Sequence, residues 1–127
     1  MKKPVNISGA PKPIAPYSQA ILSGDTLYVS GQIPVDPASG KLVEGGIAEQ
    51  TEQIMQNIGT ILNEVDLNYS HIVKCTIFMS DMEHYKAVNE VYGKYFPSDP
   101  PAREAMAVKG LPLGVDVEIS CIAASNQ

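Results

Sequence analysis

Residues 100–124 read PPAREAMAVKGLPLGVDVEISCIAA, two short apolar runs separated by a Gly/Pro turn. The runs, at 102–109 and 115–123, predict two β-strands, and alternate residues of a strand point to opposite faces of its sheet. In the second run, one set is apolar and the other mixed: Val117, Ile119, Cys121 and Ala123 against Asp116, Glu118, Ser120 and Ile122. The first face is therefore core, and the second is typical of a surface buried against another subunit.

The segments before this stretch alternate between strand and helix patterns. Strands are predicted at 19–23 and 26–33, joined by a tight hairpin turn at Gly24-Asp25. From Ile47 the apolar residues recur at helical spacing, which predicts an amphipathic helix of about five turns. A mostly apolar, β-branched run, HIVKCTIFMS at 71–80, predicts a central strand.

A second helix is predicted between Asp81, a plausible N-cap, and Pro97, which ends it. Its expected buried stripe is Tyr85, Val88, Tyr92, Tyr95 and Phe96. The Pro-rich residues 1–18 are expected to form an extended arm with a short strand at 5–7, and the segment after Ile33 a loop.

The order β-β-α-β-α-β-β predicts an α+β fold, with two helices packed on one face of a sheet. At 127 residues the chain, 1–127, is expected to be a single domain. The mixed second face of the last strand makes oligomerisation a hypothesis.

Composition argues against several classes of protein. Hydrophobic residues make up 44% and charged residues 18%, which is ordinary for a globular domain. The net charge of −5 makes nucleic acid an unlikely partner, because nucleic-acid-binding surfaces usually cluster Lys and Arg. No signal-peptide core precedes the first strand, and no run approaches the about 20 apolar residues of a membrane span. We therefore expect a cytoplasmic protein that binds no membrane.

The two cysteines, Cys75 and Cys121, lie in apolar, β-branched runs and are predicted to be buried free thiols. A disulfide or metal pair would need partners that the spacing does not offer. There is no C-x-x-C motif, and His71 and His84 stand alone, so no metal site is predicted.

Arg103 and Glu118 are the candidate functional pair, one on each of the last two strands. A guanidinium suits a carboxylate or phosphate, and a carboxylate can hold water or act as a general acid or base. The alternative is structural: the two side chains pair with each other, or with Lys109 and Asp116, at a solvated sheet edge.

Other candidate residues lie close to ordered backbone. Tyr17 follows the Pro-rich arm, and Ser30-Gly31 ends a strand where a glycine lets a ligand approach the backbone. A packed tyrosine and a strand-end bulge are the structural alternatives. Asn89 lies four residues after Tyr85, near the buried stripe, so it is either hydrogen-bonded or faces a pocket.

Together these residues resemble the RidA family of enamine/imine deaminases, also called the YjgF family. The likeness is carried by APYSQA, LYVSGQIP, VNEVYGKYF and PPAREAMAVKGLP…VEI, and runs essentially from end to end. The family signature is present as Pro101-Ala102-Arg103, then Met106, Lys109 and Leu111, then Val117-Glu118-Ile119.

The resemblance implies a chorismate-mutase-like homotrimer with a central barrel and ligand sites between subunits. It implies that Arg103 clamps the substrate carboxylate, that Glu118 polarises the attacking water, and that Tyr17, Ser30, Gly31 and Asn89 line the cleft. The implied reaction is hydrolysis of 2-aminoacrylate or 2-iminobutanoate to a 2-oxo acid and ammonia, with no cofactor.

The chain departs from the family pattern after the arginine, where Glu104 and Ala105 replace a small residue and, often, a cysteine. Strand alternation is expected to turn Glu104 away from the cleft. Two other functions are linked to relatives: a non-catalytic sensor of small carboxylates, and an RNA-cleaving or translation-inhibiting protein. Glu118 favours hydrolysis over sensing, and the negative net charge disfavours RNA.

Overall fold

The computed structural model describes residues 1–7, 13 and 15–125. In chain order, its strands and α-helices are β1 (Lys2–Val5), β2 (Ala20–Ser23), β3 (Thr26–Gln32), β4 (Val35–Asp36), β5 (Lys41–Leu42), α1 (Ile47–Glu64), β6 (Ile72–Met79), α2 (Tyr85–Tyr92), β7 (Ala102–Ala107) and β8 (Val117–Ala124).

Six of the strands form one mixed sheet in the order β1-β2-β3-β8-β6-β7. Neighbouring strands are antiparallel except β6 and β7, which are parallel. Parallel neighbours need a crossover connection, and α2 with its flanking turns supplies it. The two strands of residues 100–124 are therefore not neighbours, because β6 lies between them.

The core lies between one face of this sheet and the two helices. Helix α1 buries Ile54, Ile58 and Leu62, and α2 buries Val88 and Tyr92. Strand β8 alternates between buried and half-buried residues along its whole length. The prediction of an α+β fold with both helices on one face of the sheet is confirmed.

The N-terminal strand was predicted in the wrong place, since it spans Lys2–Val5 rather than 5–7. Pro4 is tolerated there because β1 is an edge strand, whose outer N–H groups need no partner within the sheet. Residues 8–12 and 14 of the predicted arm lie outside the described residues. The predicted loop after Ile33 contains the short hairpin β4–β5.

The second helical segment is also less regular than predicted. Asp81 caps a 3₁₀ turn (Met82–His84), accepting a hydrogen bond from the Glu83 N–H at 2.8 Å, and α2 begins only at Tyr85. Tyr85 is 39% exposed, so its assignment to the buried stripe was wrong. Among the described residues, no helix is both long and apolar enough to cross a membrane.

The face of the sheet opposite the helices carries large apolar side chains. Register places Glu118, Phe78 and Met106 side by side across β8, β6 and β7 on this face. Tyr28 is 49% exposed, and Ile122 is its neighbour on β8. We call this the open face.

Candidate functional site

Arg103 lies on edge strand β7, and its side chain points to the helix side of the sheet. The register that pairs it with the buried Cys75 fixes this orientation. Its Nη1 donates to the side-chain amide oxygen (Oδ1) of Asn89 at 2.7 Å, and its Nη2 donates to the Tyr85 hydroxyl at 3.0 Å. The guanidinium carbon lies 5.5 Å and 5.2 Å from the ring centroids of Tyr85 and Tyr92, within range of cation–π attraction.

Among the described residues, no acidic side chain neutralises the positive charge of Arg103. It is the chain's single arginine, and its two bonds go to uncharged oxygens. The ion pairs found among the described residues are Lys74–Glu104 and His84–Asp116, neither of which involves it. A half-buried, oriented guanidinium without an acidic partner is an anion-binding group, because its remaining N–H groups suit a carboxylate.

A buried sulfur and a buried phenol lie beneath the guanidinium. Burial raises the pKa of the Cys75 thiol. The pKa of the Tyr92 hydroxyl is also raised, mainly by burial and to a smaller extent by the neighbouring Cys75. Burial raises the pKa of Cys121 as well, so both thiols are held neutral. Within the described structure the Tyr92 hydroxyl makes no hydrogen bond of ordinary distance and angle, although the Cys75 thiol lies beside it.

This unpartnered hydroxyl should reduce the stability of the native protein. Replacing Tyr92 with phenylalanine removes a buried donor whose unmade bond costs about 1–3 kcal/mol, while the ring that packs on Phe96 is kept. We expect Tyr92→Phe to leave the free energy of unfolding unchanged or to raise it, measured by urea denaturation. A loss of about 1 kcal/mol or more would show that the hydroxyl has a partner.

Glu118 lies on β8 with its carboxylate directly against Gly31. A Cβ atom built on Gly31 would overlap this carboxylate and lie 2.7 Å from its carbon. The close approach that the glycine permits is thus made by Glu118. Burial raises the pKa of Glu118, and no described residue gives it a hydrogen bond or ion pair in this protomer. A half-buried carboxylate with a raised pKa is suited to proton transfer.

Gly31 belongs to a bulge in the pairing of β3 with β8, between Val29 and Gln32. The Ser30 hydroxyl donates to the Ser18 carbonyl at 2.6 Å and its N–H donates to Gln19 at 2.9 Å, which anchors the bulge to the segment before β2. Tyr17 precedes that segment and is 56% exposed, so it is not the packed core tyrosine of the structural alternative.

The contact between Gly31 and Glu118 gives a testable prediction. Gly31→Ala should displace the flexible carboxylate rather than the backbone, so we expect the melting temperature to change little. A displacement of about 1 Å can cost about 10²-fold in rate, so we expect kcat of a reaction that uses Glu118 for proton transfer to fall by at least about tenfold. Gly93→Ala is the matched control, because no atom lies within 4 Å of its added methyl group. Equal activity of the two variants would contradict the prediction.

The structure separates the six candidate residues into two groups within one protomer. Arg103 and Asn89 are together on the helix side, whereas Glu118 and Gly31 are together elsewhere, with Ser30 and the exposed Tyr17 at the adjoining bulge. Register puts Arg103 beside Cys75 and Glu118 beside Phe78, three residues apart along β6 and on opposite faces. The Cα separation is therefore about 14 Å, from strand spacings of about 4.8 Å and a rise of about 3.3 Å per residue.

The structural alternative, in which Arg103 and Glu118 pair with each other or with Lys109 and Asp116, was wrong for the described residues. Asp116 accepts hydrogen bonds from the Ser80 hydroxyl at 2.8 Å and from the Gln50 amide at 3.2 Å. Both bonds lower the pKa of Asp116, and the bond from Ser80 has the larger effect. The expectation for Glu104 is confirmed: it faces away from Arg103 and pairs with Lys74 Nζ at 3.1 Å.

Sequence reasoning missed the role of Tyr85 and Tyr92 beside Arg103. Both had been assigned to packing, yet with Asn89 they occupy positions i, i+4 and i+7 of one helix face, and all three touch the guanidinium. A polar Asn89 between two tyrosines on one helical stripe was the available signal.

Comparisons with known proteins found a family model and relatives that match along most of the chain. Residues 7–125 match the family model described as Endoribonuclease L-PSP. A 2-iminobutanoate/2-iminopropanoate deaminase of Bos taurus is 46% identical over 123 residues, which are 97% of this chain and 90% of that protein. The fold is similar to yeast Mmf1 (TM-score 0.92, 41% identity, 99% of this chain and 100% of that chain). It is also similar to E. coli TdcF with bound serine (TM-score 0.89, 32% identity, 96% and 98%).

Proposed function

The chain belongs to the RidA family, whose family model carries the description Endoribonuclease L-PSP. We propose that the protein hydrolyses reactive 2-imino acids to 2-oxo acids and ammonia. The proposed substrates are 2-iminopropanoate, the tautomer of 2-aminoacrylate, and 2-iminobutanoate. The names of mammalian relatives at 42–46% identity support this reaction class.

The observation that carries the proposal is the uncompensated charge of Arg103. Two neutral oxygens hold the guanidinium in place and no acidic side chain among the described residues neutralises it. A substrate carboxylate supplies the missing negative charge, and a two-pronged bond orients the molecule. Orientation of this kind contributes to the rate by fixing the imine carbon relative to the attacking water.

The reaction needs only water as co-reactant. Glu118 takes a proton from the water as the water oxygen bonds to the imine carbon, and it gives that proton to the nitrogen, which yields a carbinolamine. As the intermediate collapses, Glu118 takes the hydroxyl proton while the C=O bond forms and returns it to the nitrogen while the C–N bond breaks, which releases ammonia. Tyr17, Ser30, Gly31 and Asn89 line the cleft in this scheme.

The site is complete only between two copies of the chain, and we infer a homotrimer with a central barrel. Arg103 and Glu118 point to opposite faces of one sheet, so one substrate can contact both only if they come from different protomers. Burying the open face, with Phe78, Met106 and the 49% exposed Tyr28, supplies apolar area for that association.

The proposed activity is tested by generating 2-aminoacrylate from serine with a pyridoxal-phosphate dehydratase. Pyruvate formation is followed with and without this protein, and semicarbazide traps the surviving imine. We expect faster pyruvate formation and less trapped semicarbazone.

Absence of any acceleration by the folded oligomer would contradict the deaminase proposal. Binding of small carboxylates at Arg103 in that case would identify a sensor instead. Salt-dependent RNA binding or cleavage would favour the activity in the family model's description.

A further inference from the structure

Tyr85 is an exposed aromatic neighbour of the Arg103 guanidinium. Its hydroxyl accepts a hydrogen bond from Nη2 at 3.0 Å, and its side chain is the exposed member of the aromatic pair beside Arg103. Tyr85 is 39% exposed, whereas Tyr92 is 5% exposed. Of the two rings, Tyr85 is therefore the one that a ligand bound to Arg103 can reach from solvent.

The hydrogen bond with Arg103 fixes how the Tyr85 hydroxyl can be used. A guanidinium has five N–H donors and no acceptor, so in this bond the phenol oxygen is the acceptor. The phenol proton is not consumed by the bond, and among the described residues none accepts it. Polarisation by a cationic donor also makes the O–H a better donor. The hydroxyl thus offers a proton within reach of any anion on Arg103.

A carboxylate can take up this additional donor. It has two oxygens with about four lone-pair positions, of which a two-pronged arginine contact fills two. With Nη1 on Asn89 and Nη2 on Tyr85, the open donors of the guanidinium are its remaining N–H groups, including Nε. An anion bound there lies beside the phenol.

We propose that Tyr85 is a substrate-binding residue that donates a third hydrogen bond to the carboxylate held by Arg103, and so favours carboxylate-bearing substrates. The proposal rests on the proposed function for the identity of the substrate, but the anion site itself does not depend on catalysis. Tyr85 adds one bond to a carboxylate that the two-pronged contact with Arg103 still orients, so its loss should act on binding.

The test uses pyruvate, the 2-oxo acid product of the proposed reaction, as the probe for the intact protein. Calorimetry should show Tyr85→Phe weakening pyruvate binding by about tenfold, the lower end for a bond to a charged group at a partly exposed site. In the imine assay KM should rise by a similar factor while kcat stays within about twofold. Tyr95→Phe is the matched control, since Tyr95 stacks on Tyr69 and does not touch Arg103.

A crystal structure of the wild-type protein with pyruvate separates donation from positioning. A Tyr85 oxygen within about 2.5–3.0 Å of a carboxylate oxygen, with the affinity loss, supports the proposal. Affinity loss without that contact would make Tyr85 only a positioning residue for Arg103, and unchanged affinity or no pyruvate bound to the wild type would also overturn the proposal. If pyruvate binds as expected but imine hydrolysis is not accelerated, the proposed function fails and the binding role of Tyr85 stands.

Discussion

Arg103→Ala is expected to lower kcat/KM for the imino acid by about 10²–10⁴-fold, because two charge-assisted hydrogen bonds of about 1.5–3 kcal/mol each are lost. The loss should appear in KM and in kcat, since the same contact binds the substrate and orients it. Arg103→Lys should recover only part of the activity, because an ammonium restores the charge without the planar fork. The measurement is the initial rate in the imine assay over a range of substrate concentrations.

A control separates this effect from a general loss of positive charge. Lys86 is exposed on α2, the helix that holds Arg103, and Lys86→Ala should leave the kinetics unchanged. The fold should survive in Arg103→Ala, because the side chain is only half-buried. Full activity of a folded Arg103→Ala protein would show that Arg103 does not bind the substrate carboxylate.

Glu118→Gln is expected to lower kcat by about 10²–10⁴-fold, the usual contribution of general acid–base catalysis, while pyruvate binding is kept. The amide retains the shape of the side chain against Gly31 but cannot take a proton from water. The wild-type rate should also fall as the pH falls through the raised pKa of Glu118. Glu90→Gln, an exposed change on α2, is the matched control.

The same substitution should make the protein more stable at neutral pH. Burial raises the folded-state pKa of Glu118 above its ordinary value of 4.5, so the ionised carboxylate destabilises the native state at pH 7. Glu118→Gln removes that cost, and its melting temperature should exceed that of the wild type. The difference should shrink as the pH falls through the raised pKa and vanish below about 4.5, where both states are protonated. A lower melting temperature at pH 7 would contradict this assignment.

Much of the architecture followed from local patterns. The alternation of β8 identified its core face, and the helical spacing after Ile47 identified α1, because both patterns depend only on neighbours along the chain. The hairpin at Gly24-Asp25 followed from turn chemistry, and Gly24 has the positive φ of 60° that favours glycine. The position of β1 did not follow, because pairing with β2 outweighs the local cost of Pro4.

The arrangement of the candidate site depends on contacts that periodicity does not encode. The insertion of β6 between β7 and β8 puts Arg103 and Glu118 on opposite faces, and strand order is a property of the whole sheet. The hydrogen bond between Arg103 and Tyr85 forms only because the crossover connection places α2 beside β7. The need for glycine at position 31 is explained by the Glu118 carboxylate beside it, and Glu118 is 87 residues away in sequence.

In the proposed oligomer, each site takes Arg103 from one copy of the chain and Glu118 from another. We would mix Arg103→Ala and Glu118→Gln proteins in equal amounts, unfold and refold them together, and confirm mixed oligomers by native mass spectrometry. Random assembly then gives about one quarter of all inter-subunit sites both wild-type residues, so the mixture should regain about a quarter of the wild-type rate. If mixed oligomers form but the rate stays at the level of the two parent variants, the site is not shared between subunits.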